Sequence, residues 1–170
     1  LGRAEKVFPF LRNPFPTHAQ FAKASVTEVF KKLTLPKKHV EITTLDSMLF
    51  INQGSQFEAT SLTEQAQWSV TNDILASDFD LDGNMDLILC QNEVNGPEHM
   101  GNIDAGVGLV LRGKGDGTFK SMTSIESGIN LSGLQKAAWV GDVDGDARPD
   151  LWVQAEETIH VFHGNANQLG

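Results

Sequence analysis

The chain has a single cysteine, Cys90, which excludes an internal disulfide and leaves the redox compartment open. Cys90 closes an apolar run, so buried packing is its expected role. Basic residues are also scarce: 13 Lys and Arg stand against 22 Asp and Glu, a formal net charge of -9. An acidic surface can neither neutralise phosphates nor dock on anionic lipid, which disfavours nucleic acid and charged membranes as partners. No segment approaches the ~18 consecutive apolar residues of a membrane span, so no membrane insertion is expected. The chain opens on Leu1 without a charged-then-apolar leader, and the expectation is that any targeting segment was removed or never included. Catalytic signatures are missing too: there is no G-x-S-x-G, no H-E-x-x-H, no Walker loop, and no G-x-G-x-x-G in strand-helix context. What remains suits one compact unit, since 170 residues with 40% apolar side chains are ample for a core.

What the chain does have is one acidic loop, twice. Asp78-Phe79-Asp80-Leu81-Asp82-Gly83-Asn84-Met85-Asp86 returns as Asp142-Val143-Asp144-Gly145-Asp146-Ala147-Arg148-Pro149-Asp150. Positions 1, 3, 5 and 9 are Asp in both copies. A hard divalent cation takes about six to eight oxygens, and side chains at alternate positions of a coiled loop can converge on one point, so the pattern points to calcium. Position 7, Asn84 or Arg148, is expected to offer its backbone carbonyl, which lets the Arg148 side chain point outward. Gly83 at position 6 permits a sharp turn, whereas Ala147 at the same place in the second copy predicts backbone strain. An EF-hand would end in a bidentate Glu at position 12 between helices, but position 12 is Leu89 or Val153. Short apolar runs flank both loops: Ile74-Leu75-Ala76 and Leu87-Ile88-Leu89-Cys90 in the first copy, Ala137-Ala138-Trp139-Val140 and Leu151-Trp152-Val153 in the second. These read as strands.

Strand, acidic loop and strand together resemble the FG-GAP repeats, also called VCBS repeats, of integrin-like β-propellers. Leu49 to Phe57 and Leu109 to Phe119 resemble that family's other hairpin, an apolar strand meeting a Gly-rich turn and then Phe, and Ile159 to Asn165 is a third partial copy. Phe57 and Phe119 are 62 residues apart and Asp78 and Asp142 are 64 apart, one period for a four-stranded blade. The expected fold is therefore mainly β, with antiparallel propeller-type blades over residues 41–170 (two blades and a partial third) after an extended and helical N-terminal segment over residues 1–40. Two blades do not close a ring of about four to eight, which implies either the remainder of a longer chain or self-association.

Pro14 and Pro16 predict an extended lead-in to a helix opened by a Thr17–Gln20 capping box, with Ser25 and Glu28 either capping a second helix or continuing the first. Pro36 stops the helical run. Lys31, Lys32, Lys37 and Lys38 form a basic cluster near its end, read as a solvated face or as a dock for an acidic partner. A long insertion between the blades, Gln91 to Gly108, carries Glu93, Pro97, Glu98, His99 and Asp104, either as a flexible excursion or as a ligand or partner contact. His160 and His163 sit on opposite faces of one strand and are not expected to share a metal. Trp68, Trp139 and Trp152 read as core, with stacking on sugar rings as the other option.

These readings converge on a non-catalytic, calcium-stabilised module with two Ca2+ sites, at Asp78, Asp80, Asp82, Asn84 and Asp86 and at Asp142, Asp144, Asp146, Arg148 and Asp150. The resemblance implies an extracellular or cell-envelope setting and a role in adhesion or scaffolding toward a protein or glycan ligand. The alternative is a carbohydrate-active enzyme or its substrate-binding accessory, since paired carboxylates can hydrolyse glycosides. Without metal, the four carboxylates of each loop are expected to repel one another, raise some pKa values and loosen the turn.

Overall fold

The structure is a computed structural model, and it describes residue 6 and residues 9–31, 41–96 and 101–164. It forms two compact units, Leu1–Thr44 and Leu45–Gly170. In the first, two short helices follow one another, α1 (His18–Lys23) and α2 (Val26–Phe30), each opened by a complete capping box. The Gln20 N–H donates to Thr17 Oγ1 while the Thr17 N–H donates to Gln20 Oε1. The pair Ser25 and Glu28 repeats this arrangement. Ala24 and Ser25 are extended, so Ser25 opens a new helix and does not continue the old one. Lys31 is described; Lys32, Pro36, Lys37 and Lys38 lie outside the described residues.

The second unit is mainly β and built of antiparallel propeller-type blades. Its strands are β1 (Met48–Asn52), β2 (Phe57–Ser61), β3 (Thr71–Ser77), β4 (Asp86–Gln91), β5 (Leu109–Gly113), β6 (Phe119–Ser121), β7 (Gln135–Gly141), β8 (Asp150–Ala155) and β9 (Thr158–Phe162). They form three sheets, ordered β1-β2, β3-β4-β5-β6 and β7-β8-β9. Among the described residues, then, there is one full four-stranded meander, preceded by a hairpin and followed by three strands. Two complete blades were expected.

The repeat extends to backbone detail. β3 and β7 each carry a bulge, between Thr71 and Asp73 and between Gln135 and Ala137. The acidic loops join β3 to β4 and β7 to β8. Just after β4 and β8, Asn92 and Glu156 both have positive φ, 88° and 53°.

β4 is apolar on both faces because it packs two ways, as a strand covered on both sides must. Ile88 and Cys90 join Phe79, Val110, Leu131, Ala138, Leu151 and Val153 in a core shared between the second and third sheets. Leu89 joins Ala66, Leu109 and Leu111 in a smaller core on the other face. Burial pushes the Cys90 thiol up to about 12, so it packs and does not react.

Polar groups stitch the sheets together. Asn72 Nδ2, from the first bulge, donates to both Asn92 O and Gln135 O, and the Ala138 N–H donates to Asp73 Oδ2 at 3.0 Å. The Gln91 N–H donates to the buried Gln135 Oε1 at 3.0 Å.

The insertion lies within one sheet, between β4 and β5; the sequence reading had placed it between blades. A bridge between Glu93 and Ile103 closes its base. Pro97, Glu98 and His99 lie outside the described residues.

After β6, helix α3 (Ser124–Ser127) begins with a third capping box, Thr123 with Glu126. The Thr123 N–H, then the Lys120 side chain, hold the Glu126 carboxyl down at about 2, from a usual 4.5. A depressed carboxylate contributes stability above its unfolded pKa and loses it as pH falls through the folded one. The turn at Thr123 is therefore expected to loosen between about 4.5 and about 2. NMR titration of Glu126 alongside the Thr123 amide checks this; a midpoint at the usual value for Glu would contradict it.

Candidate metal centre

Each loop is organised by its own carboxylates. In the first, Asp78 accepts from the N–H groups of Asp82 and Gly83, Asp80 Oδ1 accepts from Asp82, and Asp82 Oδ1 accepts from Asn84. In the second, Asp142 accepts from Gly145 and Ala147, Asp144 Oδ1 from Asp146, and Asp146 Oδ1 from Arg148. Carboxylates at positions 1, 3 and 5 thus wrap the backbone inward, as Asp side chains do in turns.

Position 9 has a different task. Asp86 and Asp150 are 3% and 0% exposed. Asp86 Oδ2 accepts from the Phe79 N–H at 3.1 Å and its Oδ1 from the Gly113 N–H at 2.8 Å. Asp150 repeats this with Val143 at 2.7 Å and Gly164 at 2.9 Å. One carboxylate therefore closes the loop and pins it to the next strand. Both glycines are required by close approach: a Cβ on Gly113 would overlap the Met85 carbonyl, and one on Gly164 would lie 2.6 Å from Pro149 O.

Both loops need positive φ at positions 4 and 6, and each supplies glycine at only one of them. The first has Leu81 at 61° and Gly83 at 89°; the second has Gly145 at 81° and Ala147 at 64°. The strain expected at Ala147 is present, and Leu81 carries its counterpart. Left-handed backbone costs a non-glycine residue about 1–2 kcal/mol, so Ala147→Gly is expected to stabilise the chain by about 1 kcal/mol after the entropy cost of glycine. Urea unfolding checks this, and a destabilised variant would contradict it.

Three clusters have ligand atoms mutually within 4.8 Å: Asp78, Asp80 and Asp86; Asp142, Asp144 and Asp146; and Asp144, Asp150 and His163. Two oxygens on opposite sides of a calcium ion, each at about 2.4 Å, are separated by about that distance. Asp80 Oδ2 is buried, ion-paired with Arg112, and accepts no hydrogen bond. Such an oxygen suits a cation. Asp82 stands outside the first cluster, bonded to the Asn84 N–H and 3.7 Å from Arg112. The Arg148 side chain does not simply point outward, because its Nε lies 3.7 Å from Asp146 Oδ2.

The expected carboxylate repulsion contributes at Asp86, whose pKa is raised first by burial and then by Asp80 and Asp82. Asp82 is held low by the Asn84 N–H, and Asp150 by the Val143 and Gly164 N–H groups and His163. Backbone donors outweigh repulsion there.

The stretch from the first loop through β8, residues 78–153, matches the family model described as FG-GAP-like repeat. Over these residues the chain is similar to an FG-GAP-like repeat. No curated protein and no solved structure matches the chain.

Two residues were given no part in the loops by the sequence reading. Arg112 and His163 each immediately precede the glycine that position 9 grips, and each meets the position 3 aspartate. Arg112 pairs with Asp80, and His163 Nδ1 lies 3.7 Å from Asp144 and 3.4 Å from Asp150. Their shared place before Gly113 and Gly164 was a signal available in the sequence.

Proposed function

We propose that this chain is part of a calcium-stabilised propeller-type module, non-catalytic, whose loops present a rigid surface to a protein or glycan ligand outside the cell or in the cell envelope. The observation that carries this reading is the convergence, in both loops, of three carboxylates onto a space of ionic dimensions, with the buried Asp80 Oδ2 already facing a cation, the Arg112 guanidinium. Asp78, Asp80 and Asp86 would hold the first ion, and Asp142, Asp144, Asp146 and Asp150 the second. Asp82 and the carbonyls of Asn84 and Arg148 would complete the shells. Calcium would supply charge neutralisation and a fixed tie between the strands of each hairpin. Extracellular calcium fills even weak sites, with Kd values of about 10⁻⁴–10⁻³ M, which supports that setting. Among the described residues no helix is long and apolar enough to cross a membrane. The remainder of a longer chain, or self-association, would extend the open edges of β1, the counterpart of β5, and of β9.

Calorimetric titration with calcium tests the proposal. Two ions per chain are expected. Arg112 already neutralises part of the first loop and would have to yield to an incoming ion. Arg112→Gln is therefore expected to tighten the first site by about tenfold, or about 1.4 kcal/mol, between the ~1 kcal/mol of close charges in water and the ~4 kcal/mol of close charges near a surface. Absence of binding heat would overturn the proposal.

A further inference from the structure

The insertion builds a second recess, away from the acidic loops. Asn92, fully buried, folds its returning arm inward: Nδ2 donates to Gly106 O at 2.7 Å and Oδ1 accepts from the Gly106 N–H at 2.8 Å. At Gly106 a Cβ would lie 2.7 Å from Gln91 Cβ, so only glycine lets this arm close over Gln91. The result is a cavity of about 260 Å³ between residues 105–109 of the arm and residues 121–124 after β6, with Gln65, Trp68 and Gln91 also in its wall.

Three features define what fits there. First, no charged side chain lines the cavity, although the chain has 22 acidic and 13 basic residues. That disfavours phosphates, carboxylates and cations, each of which needs a counter-charge. Second, the polar lining consists of amides and hydroxyls, those of Gln65, Gln91, Ser121, Thr123 and Ser124. Ser121 Oγ donates to Gln65 Oε1, which leaves the Gln65 NH2 to offer. Gln91, in the cavity wall, is 1% exposed and its buried Nε2 has no hydrogen-bond partner, so an amide donor beside the cavity is left unsatisfied. Third, Trp68 lines the cavity and is 53% exposed, so an aromatic side chain is present there that the core does not take up.

We infer that this cavity binds one neutral pyranose ring, its apolar face on Trp68 and its hydroxyls among the glutamine amides and Ser/Thr hydroxyls. The volume is many times the ~30 Å³ share of a single water, and near the lower end of the ~300–1,000 Å³ of ligand pockets, which suits one ring and not a longer glycan chain. The inference deepens the binding-module reading by naming the ligand class, yet its site shares no residue with either acidic loop.

Saturation-transfer NMR on the whole chain tests it, with methyl glycosides of neutral hexoses and N-acetylhexosamines as probes and sialic acid and glucose 6-phosphate as charged comparators. Saturable binding of at least one neutral glycoside is expected. Trp68→Ala should weaken it at least tenfold and Ser124→Ala severalfold. Trp139→Ala, which removes another half-exposed tryptophan, should leave it unchanged. Binding of no neutral glycoside, preference for the charged sugars, or full binding by Trp68→Ala would each overturn the inference. Sugar release from a bound glycan would support the cavity while contradicting the non-catalytic reading, and calorimetry without calcium heat would contradict the metal reading alone.

Discussion

Asp86→Ala is expected to destabilise the four-stranded sheet even in a calcium chelator. The buried carboxylate ties the Phe79 N–H to the Gly113 N–H, closing the first loop and joining it to β5. Alanine would leave both donors buried and unpaired. At about 1–3 kcal/mol for each orphaned group, the loss comes to about 3 kcal/mol after relief of the buried charge. That is a large share of the roughly 5–15 kcal/mol that holds a domain folded. Asp86→Asn keeps the shape and one acceptor oxygen while turning an NH2 toward the other donor, so it should fall between the two. Asp82, which closes no such contact, should tolerate alanine in chelator with little change. Urea unfolding of the three variants in chelator separates the cases. Equal stability of Asp86→Ala and Asp82→Ala would show that position 9 is only a ligand.

The same residue links stability to metal. Burial raises the Asp86 pKa, so its ionised form is disfavoured in the folded state. A raised carboxylate pKa contributes stability at low pH that is lost as pH rises through the folded value. The metal-free loop therefore carries this buried carboxylate at some cost. A bound cation offsets that cost.

Much of this was legible from spacing alone. Alternating Asp between two apolar runs gave strand, loop and strand, and the Thr17–Gln20 pair marked the first helix, while Ser25–Glu28 left a second helix or a continuation open. What spacing could not give was the destination of each side chain. Asp86 and Asp78 are the same residue type in one motif, yet one grips the neighbouring strand and the other wraps its own loop, because only position 9 sits where β4 begins. The contacts of Arg112 and His163 with the loops were missed because both residues lie far from them in sequence and reach them only through strand pairing. Trp68 and Trp139 read as core because they flank apolar runs, but both stand about half exposed. Leu81 gave no sign of strain, since positive φ at position 4 is a property of the folded loop.

The second large effect concerns calcium itself. Eight aspartates occupy the two loops of a chain with net charge -9. Binding to the folded form alone stabilises by about 2.7 kcal/mol per site at a hundredfold excess over Kd. Two such sites contribute about 5 kcal/mol, and at about 2–4 °C per kcal/mol for a chain of this size the melting temperature should rise by about 10–20 °C. Asp80→Asn with Asp144→Asn keeps both loops close to their present shape and removes a charge from each cluster, so that double variant should lose most of the rise.

Scanning calorimetry of the whole chain in excess calcium and in chelator is the most direct test. A gain of about 10 °C or more in calcium, largely absent in the double variant, is the result predicted here. Coincident transitions with and without calcium would contradict the account, leaving the two loops as turns held by their own backbone hydrogen bonds.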